Sequence, residues 1–167
     1  MDLDGADTLP KLLLRNARRR GHRKTAIREK EFGLWQSYSW AHYLENVKYF
    51  ALGLTALGFQ PGDKLALIGD NRPQLYWALL AAQCLRGVPT PIFQDAIARE
   101  VQFVVDHCDA RFVVAEDQEQ VDKLLEVKGR LLKVQRVIYD DPRGLRHYRD
   151  PLLIGFTQVQ ELGRELE

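Results

Sequence analysis

The feature that most restricts this chain is an alternation of two hydrophobic periods. Short apolar runs at residues 64–68, 88–93, 111–115 and 134–139 are separated by segments whose apolar residues recur every three or four positions. The short runs suit strands buried on both faces, and the 3.6-residue recurrences suit amphipathic helices. Strands joined one helix at a time over short connections lie parallel, because each crossover must return the chain to the same end of the sheet. The expected fold class is therefore α/β, a layered, mostly parallel sheet flanked by helices. With 167 residues the chain is expected to form one domain, 1–167.

The first helix is expected over Leu9–Arg20, with Thr8 as cap, Pro10 in the first turn and Gly21 at the exit. Its remaining face is basic, with Arg15, Arg18, Arg19 and Arg20. Residues 25–30 and 34–39 alternate about Glu31-Phe32-Gly33, which predicts an attached N-terminal β-hairpin with Trp35 and Tyr38 on opposite faces. Ser39 opens a helix carrying Trp40, Tyr43, Leu44, Val47, Ala51 and Leu54 inward, with Gly58 at its end. Pro73 starts a helix to Arg86 that is apolar nearly all round, hence deeply packed, and Gly87 closes it. Pro89 and Pro91 point to a strand start or an edge in the run 88–93, not to an unbroken central ladder. A helix near 98–107 gathers Val101, Val104, Val105 and Cys108. Asp117 and Gln120 read as a capping box. The run 134–139 is expected to be the last strand, and Thr157 to Gln160 repeat the box before a short final helix.

Composition excludes more than it assigns. Lys and Arg number 24 against 23 Asp and Glu, which gives no reason to expect nucleic acid as a ligand. Cys84 and Cys108 form no CxxC pair, which argues against a disulfide framework and a zinc site. The acidic start Met1-Asp2-Leu3-Asp4-Gly5 lacks the pattern of a secretory signal, and the apolar stretch near 77–85 is too short to span a bilayer. The expected location is cytoplasmic, compatible with peripheral contact with a membrane.

No GxxxxGK[ST] or GxGxxG phosphate loop occurs. Gly69-Asp70-Asn71-Arg72-Pro73 lies between a strand and a helix, where open α/β sheets bind ligands and a helix N-terminus offers free N–H groups. Asp70, Asn71 and Arg72 are therefore the candidate cofactor-binding residues, although an ordinary capped turn explains the same sequence. His22, His42, His107 and His147 show no metal-pair spacing and no adjacent Cys or Ser partner. Asp140-Asp141 and Glu116-Asp117 read as solvated loop charge. The cluster from Arg15 to Lys24 reads as a solvated helix face, with phosphate binding, on lipid headgroups or on nucleic acid, as the other reading. No catalytic residue and no metal ligand is assigned.

Several stretches in order resemble one family. They are Ala26-Ile27-Arg28, Tyr38-Ser39-Trp40, Leu57-Gly58-Phe59-Gln60-Pro61-Gly62-Asp63-Lys64, Gly69-Asp70-Asn71-Arg72-Pro73, Gly87-Val88-Pro89-Thr90-Pro91 and Asp141-Pro142-Arg143-Gly144. Their order and spacing resemble the beginning of an AMP-forming acyl-CoA synthetase of the adenylate-forming superfamily, especially the long-chain fatty acid branch. The resemblance implies an ATP-dependent, Mg²⁺-assisted reaction in two steps. A carboxylate attacks the α-phosphate to give an acyl-adenylate and pyrophosphate, and the CoA thiol then displaces AMP. The family's Ser/Thr/Gly-rich loop, Tyr-Gly-x-Thr-Glu segment, ribose-binding Asp and C-terminal lysine do not occur among these 167 residues. By resemblance the chain is an N-terminal fragment that carries no cofactor itself, while ATP, Mg²⁺ and CoA belong to the full-length family. Its expected partners are the remainder of the ligase and a second copy in a homodimer. One departure is His42, three residues after Ser39, where relatives often carry an acid. The alternative readings are a stand-alone, non-catalytic α/β binding or assembly module, and a nucleotide binder using Asp70 to Arg72.

Overall fold

The computed structural model describes residues 5–167, so the acidic start at 1–4 lies outside the described residues. In chain order the elements are α1 (Leu9–Arg20), β1 (Thr25–Glu31), β2 (Leu34–Ser39), α2 (Trp40–Ala56), β3 (Lys64–Ile68), α3 (Pro73–Cys84) and β4 (Val88–Ile92). Then come α4 (Ala98–His107), β5 (Ala110–Ala115), α5 (Gln118–Glu126), β6 (Arg136–Tyr139), β7 (Leu153–Gly155) and α6 (Phe156–Glu165). β1 and β2 form an antiparallel hairpin. The other five strands form a parallel sheet in the order β4-β3-β5-β6-β7. β4, with its two prolines, lies at the edge, one of the two placements its prolines allow.

Side chains of consecutive strand residues leave opposite faces, and both faces are covered. Leu65, Leu67, Phe112, Val114 and Ile138 pack with Leu13, Val47, Phe50, Leu54, Trp77 and Phe156 of the helices on one face. Ala66, Ile68, Val113, Ala115 and Val137 pack with Val101, Val105, Val121 and Leu124 on the other. α1, α2, α3 and α6 thus make one layer, and α4 and α5 the other. Phe50 and Leu54 are fully buried, and burial of each contributes about 1.5–3 kcal/mol. Phe50 stacks on Phe156 with ring centroids 4.0 Å apart. α2 and α6 meet backbone to backbone, since a Cβ on Gly53 would lie 1.9 Å from the Val159 carbonyl oxygen. A Cβ on Gly163 would lie 1.9 Å from that of Tyr49.

Thr8, Ser39 and Asp117 cap their helices through side-chain oxygens, as their residue types require. Several local expectations are corrected. β6 is not the last strand, because Leu153–Gly155 adds β7 beside it. β6 begins at Arg136, since Val134 closes a turn onto the Leu131 carbonyl. α6 starts at Phe156, where the Gln158 side chain accepts from the Gly155 N–H, so Thr157 lies inside the helix and not at its cap. α3 ends at Cys84, and Arg86, not Gly87, takes the left-handed conformation, with φ 62°. Gly87 is required by packing, since a Cβ there would meet the Phe59 ring at 2.5 Å. The Asp117 box is half made: Asp117 accepts the Gln120 N–H, while the Gln120 side chain bonds Lys123. Among the described residues no helix is long and apolar enough to cross a membrane.

Candidate functional site

In the order β4-β3-β5-β6-β7 the chain leaves β3 toward one edge and then returns past it to β5. α3 consequently covers one face and α5 the other, which opens a crevice beyond the carboxyl ends of β3 and β5. A cleft of about 450 Å³ lies at these strand ends, closed on one side by the hairpin. Its lining includes Glu29, Lys30, Glu31 and Phe32 from the hairpin, Arg72 and Gln74 at the start of α3, and Glu116 after β5. Asp140, Asp141, Pro142 and Arg143 after β6 complete it.

Arg72 is the hub. Its Nε donates to Glu116 Oε1 at 2.9 Å, and an Nη lies 3.7 Å from Glu29 Oε2. The other Glu116 oxygen accepts the backbone N–H of Asp70. Glu116 can come this close because residue 69 is glycine, with φ 151° and with an ideal Cβ position 2.4 Å from the Glu116 Cβ. Asp70 Oδ1 accepts the Asn71 N–H at 2.7 Å, and Tyr76 Oη donates to Asn71 Oδ1 at 3.0 Å. The three sequence candidates are adjacent at the switch point, but only Arg72 lines this cleft, where it is paired with Glu116 and Glu29, while Asp70 and Asn71 line a separate hollow with residues 91–95. Glu29 also accepts from Tyr38 Oη at 3.1 Å, and Tyr38 packs edge-on against Trp77.

Glu29 and Glu116 side chains are only 12% and 13% exposed. Among the described residues Asp140 forms no ion pair. Burial first, then the charges of Asp141, Glu29 and Glu116, push its carboxyl up to about 7, against the pull of Arg72. Asp141 is held below the usual carboxylate range by hydrogen bonds from Arg143. Burial, followed by the nearby Glu29 carboxylate, raises the Tyr38 phenol to about 12. Five carboxylates thus share the cleft with three cations. A triphosphate does not fit such a lining, because like charges would meet in a partly desolvated space. The lining contains no Ser, Thr, Cys or His.

Sequence reasoning treated Asp140-Asp141 and Glu116 as solvated loop charge, and the structure gathers them with Glu29 into one knot. No local signal announces this, since Glu29 and Asp140 are brought together only by docking of the hairpin. A second unforeseen contact joins His22, Ser39 and His42. Ser39 Oγ accepts the His42 N–H at 3.2 Å and lies 3.4 Å from His22 Nδ1, and the two imidazoles meet edge to face. Ser39 acts here as the buried cap of α2, and the position of His42 leaves that cap with a single bond.

The family model described as AMP-binding enzyme matches residues 13–151. The 4-hydroxybutyrate–CoA ligase 2 of Metallosphaera sedula is 30% identical over 133 residues, covering 80% of this chain and 23% of that protein. A long-chain-fatty-acid–CoA ligase of Xenopus laevis is 26% identical over 142 residues, covering 84% of this chain and 19% of that protein. The chain therefore spans about a fifth of the length of these curated relatives. Acetoacetyl-CoA synthetase from Streptomyces lividans shares the fold, with a TM-score of 0.79 at 24% identity, over 90% of this chain and 24% of that one. With its parallel sheet, its switch-point cleft and a family match over most of its length, the chain belongs to the AMP-binding enzyme family.

Proposed function

We propose that this chain is the N-terminal α/β part of an ATP-dependent long-chain fatty acid–CoA ligase, and that it supports catalysis without performing it. The full reaction would join fatty acid, ATP and CoA into acyl-CoA, AMP and pyrophosphate. The family match over residues 13–151 carries the reading, and the long-chain ligase among the relatives supports its substrate class. The acidic cleft supports a structural role for Arg72, with ATP and Mg²⁺ held by residues outside this chain. The partner is then the remainder of the ligase. Ile97 and Phe103, 61% and 65% exposed and lining one hollow along α4, offer apolar surface for it.

The test is ATP–pyrophosphate exchange with palmitate and with 4-hydroxybutyrate. The chain alone should give no exchange, and the chain joined to the catalytic part of the Xenopus relative should exchange with palmitate in preference. Exchange by the chain alone would overturn the scaffold role, and preference for 4-hydroxybutyrate would overturn the substrate class. ATP at millimolar concentration should leave the amide resonances of Asp70, Asn71 and Arg72 in place, and shifts confined to that loop would restore it as a nucleotide site.

A further inference from the structure

The two sheets end in four strand edges among the described residues, β4, β7, β1 and β2. An open edge is a row of unpaired amides that another chain can extend. At β4 the Val88 N–H donates to the Asp63 carbonyl at 2.9 Å, so residues 88, 90 and 92 face β3, and residues 89 and 91 face outward. Both outward residues are proline, which has no N–H to give. At β7 the Leu153 N–H donates to the Asp150 carbonyl at 3.1 Å, and the Gly155 N–H donates to Gln158 Oε1 at 2.8 Å. In the hairpin, Phe32 and Gly33 form a two-residue turn, with φ 47° and 81°. Glu31 and Leu34 are then a hydrogen-bonded pair, and the alternation sends the amides of Arg28, Lys30, Trp35 and Ser37 outward. The β1 edge carries a charge at every residue from 28 to 31 and borders the cleft. β2 has no charged residue, and residues 34–37 are all exposed. Among the described residues no turn or loop hydrogen bond reaches the amides of Trp35 or Ser37. The β2 edge is thus the open and uncharged one.

A row of outward N–H and C=O groups complements a copy of itself running the other way. Two-fold pairing about Gln36 sets Trp35 opposite Ser37 of the second copy, one bonded pair on each side of the axis, and joins two hairpins into a four-stranded antiparallel sheet. The two Trp35 side chains then lie diagonally across the axis on one face, within reach of each other. The charged β1 strands take the outer places of that sheet, three strand spacings or about 14 Å apart, so no like charges are set directly opposite. We propose that two copies of this chain pair through the outer edges of β2, with the amides of Trp35 and Ser37 bonded across the two-fold axis. So short an edge makes a weak dimer. The proposal goes beyond the ligase reading and rests on the strand edges alone.

Sedimentation equilibrium of the 167-residue chain up to about 1 mM should show monomer and dimer in exchange. Over the same range the amides of Trp35 and Ser37 should gain protection from hydrogen exchange. Ser37→Pro removes an outward N–H and leaves the β1–β2 ladder intact, so the dimer should weaken at least about tenfold while the thermal midpoint holds. Gln36→Lys faces Glu29 within the hairpin but its own copy across the axis, and should weaken the dimer by a similar factor. Gln135→Lys, the same added charge at an exposed position elsewhere, should stay within about twofold. A monomer throughout, or a dimer that Ser37→Pro and Gln36→Lys both leave intact, overturns the proposal. So does protection of Trp35 and Ser37 that comes only on adding the catalytic part of the Xenopus relative, a result that would assign the edge to the remainder of the ligase.

Discussion

The two ends of the parallel sheet handle charge in opposite ways. At the amino ends of the strands three ion pairs are made one to one. Arg111 bonds Asp63 at 2.6 Å, Lys133 meets Asp109, and Lys128 meets Asp150. At the carboxyl ends Arg72 serves Glu116 and Glu29 together, Arg143 serves Asp141, and Asp140 is left to be pushed up to about 7. Pairing one to one gives contacts that can be lost singly. Sharing one guanidinium among several half-buried carboxylates makes the contacts collective, and ties hairpin, sheet and α3 to the ionisation of one group.

Arg72→Ala should break the contrast most sharply. Glu29, Glu116 and Asp140 would face one another without a counter-ion, at a cost of about 2 kcal/mol at neutral pH. That is below the figure for a fully buried pair because Arg72 is 39% exposed. Urea unfolding should show part of the loss regained near pH 5. Asp140 comes next. Its folded pKa is raised, so its contribution is complete below the unfolded value of 3.8 and is lost as pH rises through about 7. Stability should therefore fall across neutrality, and Asp140→Asn should flatten the profile and gain roughly 1–2 kcal/mol on the alkaline side. A parent profile that is already flat there would refute the collective description. At the other end, Arg111→Ala should cost about 1 kcal/mol and leave the pH slope unchanged. Lys133→Ala, in a pair exposed on both sides, should leave the thermal midpoint where it was.

The same contrast marks what the sequence made legible. Strands 64–68 and 111–115, the caps Thr8, Ser39 and Asp117, and the edge position of β4 follow from residues acting within one turn or one strand. β7 was missed because it has three residues and borrows its partner, β6, across a polar loop. Arg86 was missed because a non-glycine residue took the left-handed place while the neighbouring Gly87 was reserved for the Phe59 ring. Asp70, Asn71 and Arg72 were found by position, yet what they do depends on Glu116 and Glu29, 44 and 43 residues from Arg72 along the chain. Side-chain chemistry that depends on such distant partners leaves no periodicity to read.

The glycine contacts between α2 and α6 bear on how the chain is made. Residues 53 and 163 meet across a gap that admits no side chain, and Phe50 waits for Phe156 to cover it. During synthesis the early helix therefore emerges with its most greasy surface unprotected, and it stays so until roughly a hundred further residues have left the ribosome. A nascent chain stalled before that point would be a natural client for a chaperone, and a release delayed by slow codons would lengthen the hazard.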